Sequence, residues 1–346
     1  MTQISAYEEK VWSALVAGER ARRSRPASRV VTRVSHAVGI AVARVRENEV
    51  ADSVFELSGE TLGKALEGAF HAVFIPAIRT ASIDRAERRV LKSFPQADPE
   101  SPFLSIDLKH LDRHRPGTVT PFVGAAESGA ASVVVSGLTV SATVSGGTTA
   151  LVALGAIAAD AIASIALLGR TIAEIAANYG YDPRLPEEEL YLLGVLNYSM
   201  AATSGSRTAA LASVSRLSQQ MMRNPTWAQL STDPIVIIIQ RIFATLGLKL
   251  THTKLATAVP IAGVVISSGL SFQALKSAAD DATRLYRARY LAEKHNLSWD
   301  AMFDASQARA TDDESSIDPS SAAVDDLFNQ VVDGVVEGDV PAGRAS

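Results

Sequence analysis

The chain has 346 residues, 47% of them hydrophobic and 20% charged, with 33 Lys plus Arg against 37 Asp plus Glu. That is enough apolar material for a sizeable core, in one large domain or two small ones, and it excludes a wholly disordered chain. The absence of cysteine excludes disulfides, thiolate nucleophiles and Fe–S ligation, and a net charge of -4 gives no whole-chain case for nucleic acid.

At the start of the chain, Glu8, Glu9 and Lys10 stand where a secretory signal would carry its apolar run. No lipidation motif follows. The expectation is a cytoplasmic chain, free or peripheral at the inner face of the cell membrane. Tyr7, Val11, Ala14 and Leu15 share one helical face, with Glu8, Glu9 and Lys10 expected outside it. A basic run follows: Arg20, Arg22, Arg23, Arg25, Arg29 and Arg33, interrupted by Pro26. It suits a solvated face, or contact with anionic lipid headgroups at about 1 kcal/mol per basic residue near the surface. No aromatic residues interleave with these arginines, which disfavours nucleic acid.

Ser93–Pro121 is a proline-rich, charged connection at which helices are expected to stop. Its HLDRH run sets His110 and His114 four apart, but Leu111 occupies the place of the glutamate in H-E-x-x-H. An exposed histidine pair is expected there, and no metal site.

Ser128–Ala159 holds 32 residues without a charge, bounded by Glu127 and Asp160. As one helix it would reach about 48 Å; as two arms folded at Gly146-Gly147, about 24 Å each, slightly short of the roughly 30 Å bilayer core. Gly, Ser and Thr supply 14 of the 32, and Leu138, Leu151, Leu154 and Ile157 are the only large aliphatics beyond valine. That composition favours close helix packing over insertion. Between Val134 and Ser145 the alternation of β-branched and small polar residues is, by local propensity, a strand-and-turn signal. The Ala-rich flanks favour helix instead. A second uncharged run, Leu255–Leu275, is 21 residues long, with Gly263, Ser267 and Ser271 at four-residue spacing. It is long enough to span a bilayer, but its modest apolar density favours a core helix packed on the first segment over a transmembrane span.

The C-terminal stretch from Asn296 carries two arginines against eleven acids, about −9, leaving about +5 on the rest. Ala305–Ser321 lacks apolar periodicity and is expected to be a disordered linker. Val324, Leu327, Phe328, Val331, Val332, Val335 and Val336 beyond it fit a short acidic amphipathic helix, docked on its own domain or on a partner.

Three stretches carry a resemblance: TIAEIAANYGYDPRLPEEELYLLGVL (Thr171–Leu196), KLATAVPIAGVVISSGL (Lys254–Leu270) and AADDATRLYRARYLAEKH (Ala278–His295). With YEEKVW at Tyr7–Trp12 and the small-residue segment ending at Asp160, the chain resembles the EcsC family of bacterial proteins, from about Tyr7 to His295. The resemblance implies a predominantly α-helical protein. The family takes its name from an operon that encodes an ABC transporter, and no catalytic residue carries over.

Taken residue by residue, the YGYDP run works as punctuation. Ile172, Ile175 and Ala176 close a helix, Gly180 is a left-handed cap, Asp182-Pro183 opens a turn, and Pro186 starts a helix with Glu187, Glu188 and Glu189 in its first turn. Nucleotide and hydrolase signatures are missing. The candidate binding residues are the charges bounding the apolar segments: Glu127, Asp160, Arg170 and Glu174. Arg170 and Glu174 are four apart on one helix face, and Asp160 lies nearly three turns before Arg170.

These readings give an all-α fold: a helical bundle with a Gly/Ala-rich central helical hairpin, an EcsC-like domain over 1–298, and an acidic linker and tail over 299–346. Two functions are weighed. One is a membrane-surface accessory or interaction protein, linked through the resemblance to an ABC transporter, with Arg20, Arg22, Arg23, Arg25 and Arg29 on lipid and a membrane surface or membrane protein as partner. The other is a soluble helical enzyme or small-molecule binder with a site around Glu127 and Asp160. Neither implies a cofactor, catalytic residues stay unassigned, and oligomeric state is open.

Overall fold

A computed structural model describes residues 4–24, 69–116, 149–201, 204–223, 242–243, 268–299 and 326, with 19–24, 149–161, 204, 223 and 268–274 described as backbone alone. All regular structure among the described residues is helical. α1 is Ala6–Ser24; a single π turn, Phe70–Phe74, runs directly into α2, Ile75–Arg79. α3 (Ile83–Ser93) and the short α4 (Leu108–Arg113) follow, then α5 (Thr149–Asn178), α6 (Pro186–Met200), α7 (Ser204–Arg223) and α8 (Ser268–His295).

α6 is the axis of the core. Residues 188–198 are buried without a break, because apolar residues occur on every side of this helix and leave no solvent face. It packs on α5, α7 and α8; α5 also holds α2 and α3, while α1 lies against α4 and α8. Phe70 and Phe74 fill the space beside α5, stacked 5.8 Å apart and touching Phe243 at 5.2 and 4.8 Å. Gly169 permits this approach, since the Phe74 ring occupies the place where its Cβ would project. Trp299, just past α8, is fully buried in the same core.

The helix ends follow local chemistry, at Gly180 and Pro186 as the YGYDP run leads one to expect. α5 closes at Gly180 (φ 95°), with the Tyr181 N–H donating back to the Ala176 carbonyl at 3.0 Å. Pro186 stands in the first turn of α6, with Glu187, Glu188 and Glu189 beside it. Asn296 (φ 52°) caps α8, and Leu297 N–H returns to the Ala292 carbonyl at 3.0 Å. Ser82 caps α3 through the Arg85 N–H, and Asp107 caps α4 through the Lys109 N–H.

Two expectations are corrected. Glu8 is buried, not outside with the exposed Glu9 and Lys10, because Lys294 and His295 come from α8 to meet it. The proline-rich connection holds a helix of its own, α4, whose Leu108 and Leu111 are buried. As the Ala-rich flank and the spacing of Asp160 from Arg170 lead one to expect, α5 runs through Asp160 as one helix of 30 residues. The first arm, the Gly146-Gly147 fold and the strand-like alternation at 134–145 lie outside the described residues, as do most of 255–275 and the tail helix. No described helix is long and apolar enough to cross a membrane.

Candidate functional site

The motif residues with the most distinctive chemistry converge on α8, where they close on one another. Arg289 lies between the rings of Tyr181 and Tyr191, 4.0 and 4.4 Å from their centroids, and donates two hydrogen bonds to Glu188 at 2.7 and 2.5 Å. Burial pushes the Glu188 carboxyl above its ordinary value, and the Arg289 charge and hydrogen bonds oppose that rise. Tyr181 donates to Glu293 at 2.9 Å. Two turns of charge continue the pattern. Asp112 of α4 accepts from Tyr7, Tyr179 and Arg287 at 2.7, 2.6 and 2.8 Å, and Glu8 accepts from Lys294, His295 and the Leu108 N–H at 2.9, 2.9 and 3.1 Å. These carboxylates face cations and hydroxyls of the protein itself, so the network clamps α1, α4, α6 and α8 together.

An open site lies elsewhere. Between α3, the end of α4 and the C-terminal half of α5 runs a cleft of about 490 Å³, lined by Arg85, Arg89, His114, Arg170, Glu174 and Asn178 among others. Arg85 and Arg89, four apart on α3, face it together because α3 turns Ala86 and Val90 into the core. Arg170 donates from Nε to Glu174 at 3.2 Å, and both side chains are largely buried, at 12% and 18% exposure. His114, which also lines the cleft, donates from Nδ1 to the His110 carbonyl at 2.9 Å. Asn178 donates to the Leu111 carbonyl at 3.0 Å. Three guanidiniums, an imidazole and one carboxylate thus line one cleft, an arrangement that favours an anion.

Of the four candidate binding residues, the structure brings two together: Arg170 and Glu174 form the expected pair at the cleft wall. Asp160 lies on α5 as backbone alone, and Glu127 is outside the described residues. Among the candidate lipid contacts, Arg20, Arg22 and Arg23 are on the C-terminal part of α1 as backbone alone; Arg25 and Arg29 are outside. His114 is exposed as expected, while His110 is half-buried with its ring edge on Phe94 at 4.5 Å. Among the described residues no group of three potential metal ligands occurs. The sequence reading missed Arg85 and Arg89, although their i, i+4 spacing in the strongly amphipathic IDRAERRVLKS was a usable signal.

The placement of the YGYDP, PEE and RLYRARY residues at the core of one bundle accords with what comparison shows. Residues 130–291 match the EcsC protein family. The resemblance read from the motifs therefore holds, over just under half of the chain. The EcsC-like segment takes in most of α8 and, of the cleft, the α5 wall with Arg170, Glu174 and Asn178; Arg85, Arg89 and His114 precede it. The chain is also similar to "Uncharacterized protein YdbA" of Bacillus subtilis, 25% identical over 210 residues, covering 60% of this chain and 71% of that one. No solved structure matches.

Proposed function

We propose that this EcsC-like chain is an accessory or interaction protein that works at the cytoplasmic face of a membrane, holding an anionic surface or membrane partner through a basic face. The observation that carries the reading is on α3. Its four cations, Arg85, Arg88, Arg89 and Lys92, make no ion pair with any described residue, while Asp84 of the same helix is engaged by Arg184 at 3.2 Å. Unpaired cations on one rigid helix keep their full attraction for an anionic surface, about 1 kcal/mol each near the headgroups. The arginine run from Arg20 to Arg33 adds basic charge of the same kind. A link to an ABC transporter belongs to the same proposal and rests on the family resemblance alone.

The test is charge reversal on a surface that does not hold the fold. Flotation with phosphatidylcholine vesicles containing phosphatidylglycerol is expected to be lost in Arg85→Glu/Arg88→Glu/Arg89→Glu, and also weakened by Arg20→Glu/Arg22→Glu/Arg23→Glu. Undiminished flotation of both variants would contradict the reading.

A second reading, a soluble binder of a small anionic molecule, draws on the cleft beside Arg170 and Glu174. It differs in predicting ligand binding without vesicles.

A further inference from the structure

We infer that the α3–α5 cleft is a site for a phosphomonoester group, whether carried by a lipid headgroup or by a soluble molecule. The site goes beyond the general attraction of a basic face, because it depends on inward-facing arginines of two different helices. Arg88 and Lys92 of α3 do not line it; Arg85 and Arg89 do.

The geometry of Arg170 is the first support. Its Nε is taken by Glu174 at 3.2 Å, and its two terminal nitrogens make no hydrogen bond to any described residue although the side chain is only 12% exposed. A guanidinium anchored at Nε by a carboxylate one turn away presents its Nη edge in a fixed direction. Arg170 lines the cleft together with Glu174. Arg85 and Arg89, whose side chains make no hydrogen bond or ion pair with any described residue, supply two more guanidiniums from the α3 wall. The N-terminus of α3, capped by Ser82, opens on the same space and adds its positive end.

Charge and shape then select among anions. Three guanidiniums against one carboxylate leave two positive charges. A carboxylate offers one charge and two oxygens, too few to occupy three donor forks. A phosphomonoester carries about −1.5 to −2 near neutral pH and three terminal oxygens, one for each guanidinium. A phosphodiester, with one charge and two free oxygens, fits less well. A second recess of about 20 Å³, room for little more than a water molecule, adjoins Arg89, His114 and Asn178 of the cleft.

The experiment uses the full chain, with inorganic phosphate by calorimetry at constant ionic strength, and phosphatidylcholine vesicles doped either with phosphatidic acid or, at matched charge, with phosphatidylglycerol. Saturable phosphate binding is expected, weakened about tenfold or more in Arg85→Gln/Arg89→Gln, since each lost charge-assisted hydrogen bond matters at that scale. Glu174→Ala, which removes both the acceptor that anchors Arg170 and a negative charge, is expected to weaken it as well; simple charge attraction would strengthen it. Preference for phosphatidic acid over phosphatidylglycerol, with displacement by inorganic phosphate, assigns the lipid source; phosphate binding without that preference assigns a soluble source. Equal binding of both vesicles with no phosphate binding would overturn the cleft and leave the basic face standing. Phosphate binding unchanged by the double substitution would overturn it too.

Discussion

Arg289 and Glu188 meet through two parallel hydrogen bonds, 2.7 and 2.5 Å long, with about 6% and 8% of their side chains exposed. The residues are about a hundred positions apart, one on α8 and the other in the first turn of α6. Their pairing joins the PEE and RLYRARY runs into a single structural feature. The tyrosine rings on either side of the guanidinium exclude water, so the pair gains strength from a low dielectric and also becomes costly to break.

Arg289→Met leaves the Glu188 carboxylate buried without its partner and is expected to destabilise the fold by about 3–5 kcal/mol, whereas Glu188→Gln/Arg289→Met together costs less than the two single changes combined. Urea unfolding of the four proteins checks this. Additive losses would show that the two side chains are not coupled.

Glu8 gives a pH dependence. Burial raises its carboxyl, but the hydrogen bonds from Lys294, the Leu108 N–H and His295 outweigh that and hold it below the ordinary 4.5. A carboxyl lowered on folding contributes stability above its unfolded value, and loses it as pH falls through the lowered folded value. Glu188 and Glu189 are raised instead, chiefly by burial, and act in the opposite sense, favouring the fold at lower pH. The Glu8 contribution is therefore isolated as the stability difference between wild type and Glu8→Gln. That difference is expected to be present at neutral pH and to vanish as the pH drops below 4.5. A constant difference across that range would contradict the assignment.

Because α1 is tied through Tyr7 to Asp112 and through Glu8 to α8, loosening those ties acts locally. Tyr7→Phe removes one hydrogen bond, worth about 1 kcal/mol. Hydrogen exchange is expected to quicken along α1 while α6 stays protected. Equal acceleration in both helices would mean that α1 is integral to a single cooperative unit.

Gly180→Ala tests the junction. At φ 95° a side chain is strained, and a Cβ would come within 2.5 Å of Phe103 Cγ. A loss of about 2 kcal/mol or more in denaturant stability is expected.

What was legible in the sequence was local. Gly180 as a cap, Pro186 as a helix start and Arg170 with Glu174 one turn on all follow from spacing along a single helix or its end. The EcsC-like identity followed from the same motifs. What was illegible depended on residues far apart in the chain. Glu8 looks like one of three surface charges until α8 brings Lys294 and His295 to it, and Glu188 and Glu189 look like simple helix-dipole partners although Arg289 and Arg79 meet them from other elements. The cleft escaped notice for the same reason, since Arg85 and Arg170 become neighbours only when α3 packs on α5.

The proposed role rests on a basic face that would engage an anionic membrane surface. Flotation of the purified chain with phosphatidylglycerol-containing and neutral vesicles, at low and high salt, tests it most directly. The account predicts binding to the anionic vesicles alone, released by salt, because screening shortens the reach of exposed charges. Absence of binding at low salt would contradict it, as would salt-resistant binding to both kinds of vesicle, which would mean insertion of an apolar segment.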